Sequence, residues 1–272
     1  MRKAYSIIGF CGLAAAGCLL LGGCSSNAAK SDNPLVAMMG SMMPPSPSDA
    51  AKDTLNPFDA DRRRSGVAWL ASAPFGGEEV YVRTYRLLLT DEDSTVRAAA
   101  IRALGLHGTV DDAVLVSPLL EDKAEFVRWE AAKALQKIHN PKVVDGLMKH
   151  TRMADEINVD VRMACCQALG QYTEPRVYDA LVGAINDTDF GVVRAARESL
   201  RTLTGYDLGS DSTLWLIWQK QNPDKLFAKK MEYTWTPFDK PPTTFDKMQF
   251  WKDNSPPPPQ KPVGIESVNA GK

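Results

Sequence analysis

The segment VRAAAIRALG at residues 96–105 returns as VRWEAAKALQ at 127–136 and as VRMACCQALG at 161–170. A degenerate copy precedes them at residues 62–71. Another follows at 192–200, with valine in place of the second-position arginine. Successive copies begin 34, 31, 34 and 31 residues apart. Self-similarity at such a period is typical of a solenoid, in which stacked supersecondary units share one continuous core.

Each copy carries the hydrophobic period of an amphipathic helix. At about 100° per residue, the leading valine, the alanines three, four and seven places on, and the leucine eight places on fall on one side. A partner helix is predicted before each copy, over residues 78–89, 110–120, 141–150 and 175–185. Acidic, Asn, Ser and Thr residues between the two helices favour the positive end of the second one. The sequence therefore predicts an all-α fold of helical hairpins.

The repeated pattern Val-Arg-x-Ala-Ala-x-x-Ala-Leu, led by Val96, Val127 and Val161, resembles the HEAT family of helical hairpin repeats. It is most similar to the short type that also occurs in phycobilisome lyases. The resemblance covers about residues 60–205 and implies a short α-solenoid of HEAT-like hairpins, assigned to residues 59–205. Such repeats mostly build binding surfaces, so the resemblance is specific for the fold and weak for the function.

The first residues predict export from the cytoplasm. Arg2 and Lys3 give a positive start, and residues 7–21 form a largely apolar run without charge. A charged start, a short apolar stretch and small residues before a cleavage point are the parts of a secretory signal, and this run is short for a membrane-spanning helix. We expect residues 1–23 to be the signal peptide.

The residues that end this signal predict a lipid anchor. LGGC at residues 21–24 resembles the lipobox of bacterial lipoproteins, in which the cysteine thiol is diacylated and the signal is removed at that residue. Several acyl chains hold a protein on a bilayer, because each buried methylene contributes about 0.8 kcal/mol. Cys24 is therefore the expected lipidation site. Ser25 resembles the sorting signal for the outer membrane, so the mature protein is expected on a cell-envelope membrane, facing the periplasm or the exterior.

Two arms flank the repeats. Residues 24–58 are rich in Ser, Ala, Met, Pro and Asn, and we expect a flexible tether. Residues 206–232 are expected to form a capping helix with two tryptophans. Residues 233–272 are Pro-rich and expected to be largely disordered, with docking onto the repeats favoured for residues 233–238 and disorder favoured past Asn254.

The charge and the cysteines exclude several classes of protein. Removal of Arg2 and Lys3 with the signal changes the formal net charge from −1 to −3, which is too mild to indicate a nucleic-acid partner. Cys165 and Cys166 are adjacent in a helical pattern, where neighbours point about 100° apart and cannot form a bridge. Stability is therefore expected to come from apolar burial.

No catalytic or cofactor motif is found in the sequence. The three histidines lie at no metal-ligand spacing to each other or to a cysteine, and no phosphate loop or activated nucleophile is present. We expect no catalytic residue, no metal and no cofactor. The histidines are His107, His139 and His150.

The helical wheel predicts a partner-binding stripe on the side of each second helix that faces away from the core. Its large apolar members are Trp129 and Met163 on adjacent units, a combination that interfaces use as an anchor. Two alternatives stay open: the C-terminal arm covers these residues, or they are scattered surface apolars. The other predicted members are Arg102, Lys133, Arg197 and Arg201.

The second-position arginines Arg97, Arg128 and Arg162 fall beside the leucine edge of the helix instead. We expect each of them to bond to the acidic loop of a neighbouring unit. They are therefore predicted to form a structural ladder and not a binding site.

Together these patterns predict a non-catalytic scaffold, anchored by lipid to the cell envelope, that binds an envelope protein or polymer on the concave face. An alternative is a structural spacer that acts through its Pro-rich arms. A bilin-lyase-like activity is the third reading, suggested by the repeat type and disfavoured by export.

Overall fold

The computed structural model describes residues 45–237 and 257–265. The chain divides into two units, Met1–Ser46 and Pro47–Lys272, and the second contains the repeats. The predicted signal, the lipidation site Cys24, most of the tether and much of the C-terminal arm lie outside the described residues. Among the described helices, none is long and apolar enough to span a membrane.

The prediction of an all-α solenoid is confirmed, and the described residues form eleven helices in two rows. The second helices of the units are long, and four of the five are capped: Asp59, Asp93, Asn158 and Asp189 each accept a hydrogen bond from a backbone N–H of the turn that follows, whereas α6 follows Ala124 and has no side-chain cap. They are α2 (Ala60–Ser72), α4 (Ser94–His107), α6 (Glu125–Lys137), α8 (Val159–Leu169) and α10 (Phe190–Thr204).

The first helices are shorter, and three of them include a 3₁₀ turn. They are α1 (Pro47–Thr54), α3 (Glu79–Leu87) continued by Leu88–Thr90, α5 (Asp112–Val116) continued by Ser117–Glu121, α7 (Val144–Lys149) preceded by Pro141–Val143, and α9 (Pro175–Ala184). A last helix, α11 (Ser212–Gln221), follows α10. The predicted hairpins therefore form, with their boundaries moved by a few residues.

The core lies between the two rows. The leading Val96, Val127 and Val161 are fully buried, and the alanines of the repeated pattern are buried with them. Small residues let neighbouring second helices approach closely: a Cβ added to Gly105 of α4 would lie 3.2 Å from the Ala134 Cβ of α6. Each second helix packs on the next along the row, whereas the first helices make few contacts with one another.

An arginine ladder connects the units at the amino ends of the second helices. In each rung, Nε and Nη2 of an arginine donate to both oxygens of a carboxylate in the next loop, while Nη1 donates to a backbone carbonyl of the arginine's own loop. The ladder predicted for Arg97, Arg128 and Arg162 is confirmed, and Arg63 adds a rung. The rungs are Arg63–Asp91, Arg97–Asp122, Arg128–Glu156 and Arg162–Asp187.

The fourth rung, formed by Arg162 and Asp187, is almost completely buried. The side chains of Arg162 and Asp187 are 2% and 3% exposed. Burial by itself raises the pKa of Asp187, but the Arg162 hydrogen bond and the backbone N–H groups of Thr188 and Asp189 outweigh it, so that the pKa lies below its ordinary value. The Asp187 carboxylate is therefore charged at neutral pH, and the positive charge of Arg162 is required to stabilise it in the buried site.

The tether assignment is corrected at its end, because residues 47–54 form α1. Ala50 and Thr54 are buried, and α1 crosses α2 at Gly66, where an added Cβ would lie 2.7 Å from the Ala50 carbonyl oxygen. The close crossing requires glycine. The degenerate first copy of the repeat thus has its own first helix, in a stretch that has no apolar period long enough to reveal it.

The other end of the array is closed by α11. Gly205 ends α10 in the left-handed conformation, at φ 76°, as its place in the sequence predicts. Trp215 is fully buried, its Nε1 donates to the Gly209 carbonyl at 2.9 Å, and its own carbonyl accepts from the Tyr178 hydroxyl at 2.8 Å. This helix covers α9 as a terminal cap.

Replacing Arg162 by methionine is expected to lower the free energy of unfolding by about 3–5 kcal/mol, because it leaves the buried Asp187 carboxylate without a counter-charge. Arg152→Met serves as the control, since Arg152 is 67% exposed in its pair with Asp155, and it is expected to change the free energy by about 1 kcal/mol or less. Urea denaturation followed by circular dichroism measures both. Equal effects of the two substitutions would contradict a structural role for the ladder.

Candidate interaction surface

The predicted stripe lies on the side of the second helices that faces away from the first row. Neighbouring second helices pack closely on one another along their row, and the sequence predicts this side as the concave one. We call it the Trp129 face. Its members are Arg102 of α4, Trp129 and Lys133 of α6, Met163 of α8, and Arg197 and Arg201 of α10.

Trp129 and Met163 are half-buried and rest against the core. Met163 extends toward the start of α10, where its Sδ lies 3.5 Å from the position of a Cβ added to Gly191. Both side chains are therefore held by the second helices and still offer apolar surface. A half-buried tryptophan is ordered before binding, so it loses little conformational freedom when a partner covers it.

The charges of the Trp129 face are more balanced than the sequence predicts. Arg102 is paired with the buried Glu130, and Arg197 donates to both oxygens of Asp207 at 2.7 Å. Within the described ranges, Lys133 and Arg201 make no ion pair. The predicted, mostly basic stripe thus has two of its four selected cations neutralised by neighbours.

The C-terminal arm crosses the carboxyl ends of the second helices. The Met231 N–H donates to the Thr202 carbonyl at 2.7 Å, and the Tyr233 hydroxyl donates to the Gln167 carbonyl at 2.8 Å. Lys137 Nζ lies 4.8 Å from the centre of the Trp235 ring. Burial raises the pKa of Tyr233 and lowers that of Lys137, as expected where this arm excludes water.

A second stretch of the arm returns to the same place. The N–H and carbonyl of Gln260 bond to the carbonyl and N–H of Trp235 at 2.8 Å. The Val263 N–H donates to the Lys137 carbonyl, and the Val263 carbonyl accepts from the His139 N–H, each at 2.8 Å. We name residues 231–237 and 257–265 together the strap.

Tyr233 and Trp235 contact α8 and α6 in the stretch where docking onto the repeats is expected. The second stretch of the strap, residues 257–265, differs from the disorder expected past Asn254. Backbone bonds carry much of its attachment, and they leave little trace in the choice of side chains. The one available signal is Pro262-Val263-Gly264 in an otherwise polar tail. The described contacts of the strap lie on the last turns of α6, α8 and α10, so the alternative that it covers Trp129 and Met163 is not supported by them.

A separate groove of about 630 Å³ opens between α7 and α9. Met148, Met153 and Gly183 contribute its apolar surface. Its charged groups have partners of their own: Asp187 bonds to Arg162, and Lys149 bonds to Glu121. The groove has a size that suits a ligand, and both cations of its lining, Lys149 and Arg152, are already paired with carboxylates.

The described residues offer little for catalysis. Cys165 and Cys166 are fully buried, and burial raises the pKa of Cys166 to about 12, so neither thiol is a ready nucleophile. Within the described ranges, no group of three or more His, Cys, Asp or Glu side chains could hold a metal ion. The geometry of this part of the chain is that of a scaffold.

Comparison with known proteins supports the repeat assignment. The family model described as HEAT repeats matches residues 82–158 and 150–201, which fall within the helical array. An uncharacterized phycocyanin operon protein Z of Pseudanabaena tenuis is 30% identical over 129 residues, or 46% of this chain. The chain spans 63% of the length of that relative.

Solved structures of repeat proteins overlay on the chain at low sequence identity. A designed armadillo repeat protein gives a TM-score of 0.45 at 17% identity, covering 67% of this chain and 95% of its own. The complex of CpcE and CpcF of phycocyanin lyase from Nostoc sp. PCC7120 gives a TM-score of 0.40 at 20% identity, covering 60% of this chain and 79% of that chain.

Proposed function

We propose that this chain is a non-catalytic interaction scaffold that binds a protein or polymer of the cell envelope through the Trp129 face. The observation that carries the proposal is the pair of Trp129 and Met163 on neighbouring second helices, half-buried and backed by the core. An ordered aromatic next to an adaptable thioether is the kind of anchor on which interfaces depend.

The partner is expected to be weakly acidic or neutral at its contact surface. Lys133 and Arg201 are the cations of this face without an ion pair in the described ranges, and they lie on helices at either side of Met163. A strongly acidic ligand is not favoured, because Arg102 is already engaged by the carboxylate of Glu130. Apolar contact therefore supplies most of the expected affinity, and charge supplies orientation.

Trp129→Ala is expected to reduce the capture of envelope partners by tenfold or more, the effect of losing a hot-spot side chain of about 2 kcal/mol. The control is Leu87→Ala, which removes a 64%-exposed apolar side chain from a first helix. Both are compared by photo-crosslinking in intact cells followed by quantitative mass spectrometry. Equal crosslinking by the Trp129→Ala variant, the Leu87→Ala variant and the unchanged protein would show that partners do not bind at the Trp129 face.

The proposal includes anchoring by lipid at Cys24, which rests on the sequence of residues 21–24. Cys24→Ala is expected to abolish incorporation of an alkyne-labelled fatty acid and to release the protein from the membrane fraction. Cys18→Ala, within the apolar run, is the control and is expected to keep both properties. Labelling of Cys24→Ala at the control level would exclude the anchor.

A second candidate function is suggested by the relative from a phycocyanin operon, whose similarity to this chain extends over 129 residues. It would make this chain a protein that handles phycobiliproteins or their linear tetrapyrroles. The Trp129 face offers no cysteine among its described residues to attach a bilin covalently.

Titration of the purified full chain with a linear tetrapyrrole separates the two candidates. We expect no saturable change in the absorbance spectrum of the pigment, because Lys149 and Arg152, the cations that line the groove between α7 and α9, are already paired with carboxylates and do not orient its propionates. A saturable red shift at stoichiometric ratio would favour the phycobiliprotein role over the envelope scaffold.

A further inference from the structure

The place where residues 257–265 lie has the properties of a peptide-binding site. Its receptor side is the turn after α6, whose Lys137 carbonyl and His139 N–H both bond to Val263, so that Val263 pairs with Ile138 as in a parallel sheet. On the opposite side Gln260 pairs with Trp235 in antiparallel fashion. The peptide is thus held by backbone bonds from two directions, which is the mode called strand addition.

Side chains of the bound segment add selectivity to these backbone bonds. Pro262 is buried, and Lys261 forms an ion pair with Glu232 of the strap. Gly264 has φ 94°, and a Cβ at that position would lie 2.7 Å from Val110 Cγ2 and 2.9 Å from the His139 carbonyl oxygen. The site therefore favours proline at position 262 and requires glycine at position 264.

Trp235 forms one wall of this site and is not fully satisfied by its present surroundings. Its Nε1 is buried without a hydrogen-bond partner in the described residues. Its ring faces the ammonium group of Lys137. Burial is the main cause that lowers the pKa of this lysine. A wall made of an aromatic ring next to a covered cation is a suitable surface for a proline-rich, extended peptide.

We propose that this site accepts residues 257–265 from a second copy of the chain, in exchange for its own. The backbone bonds to Lys137, His139 and Trp235 use only main-chain groups of Gln260 and Val263, and a second copy presents the same groups. Residues 238–256 join it to Trp235, and at about 3.3–3.6 Å per residue they could span about 60 Å. The same bonds can therefore form within one chain or between two, and reciprocal exchange closes a twofold dimer.

The segment of the same chain competes with the second copy, since its covalent connection to the receptor gives it a high effective concentration. Two substitutions remove this competition and leave one half of the interaction in each chain. Gly264→Val prevents residues 257–265 from binding and leaves the receptor residues, such as Val110 and His139, unchanged. Val110→Trp blocks the receptor, at a position that is 37% exposed, while the segment stays intact.

An equimolar mixture of the two purified full-length variants is expected to form a one-to-one dimer in sedimentation velocity, whereas each variant alone stays monomeric. A fluorescent peptide with the sequence of residues 256–266 is expected to bind the Gly264→Val chain at least about tenfold more tightly than the unchanged chain, because its internal competitor is gone. The same peptide with valine for glycine is the control and is expected not to bind.

A mixture that stays monomeric overturns the assignment to a second copy, even if the peptide binds. Failure of the peptide to bind the Gly264→Val chain overturns the site itself. Circular dichroism of both variants establishes beforehand that the helices are retained. Neither measurement involves Trp129, so its outcome is independent of the proposed envelope partner.

Discussion

The arrangement of this protein depends on a pair that recurs at three of the units: a carboxylate in the connecting loop and an arginine six residues later, in the first turns of the second helix. Asp91 precedes Arg97, Asp122 precedes Arg128, and Glu156 precedes Arg162 by this interval. Each arginine donates to the backbone carbonyl of the acid in its own loop and to the carboxylate of the next loop. One residue type thus fixes the shape of its own turn and the stacking of the following unit. The alternation of 31- and 34-residue spacings leaves this link unchanged, because the added residues lie outside the interval.

Most of the fold was predictable because the same pattern of buried and polar positions recurs in several copies of the repeat. The valines and alanines of the core, the acidic caps and the ladder arginines follow from helical geometry, and their agreement between copies makes the interpretation firm. The first helix α1 was missed, since its packing depends on the absence of a side chain at Gly66. The attachment of residues 257–265 was missed because main-chain groups, which every residue has, form most of its bonds.

The position of the candidate site stays a prediction, whereas the structure changes the expectation about its charge. The helical wheel places Trp129 and Met163 on the same face, and the structure shows both side chains half-buried against the core. The helical wheel does not reveal the role of Glu130, which stands at a core position where the other good copies have alanine. In the structure the carboxylate of Glu130 neutralises Arg102. Pairing across units is a tertiary property. A list of outward-facing cations therefore overestimates the positive charge that a partner would meet.

The arginine ladder and the strap lie at opposite ends of the second helices, and this has a mechanical consequence. An edge that is bonded through charged groups at every interface resists extension, so the array can change its curvature mainly by spreading at the opposite edge. The strap connects α6 and α10 at that edge by backbone bonds, and it connects α8 through the Tyr233 hydroxyl. It acts there as a tie that limits how far the carboxyl ends of these helices separate. Val193 stands where a further ladder arginine would be, so that the ladder ends at its fourth rung.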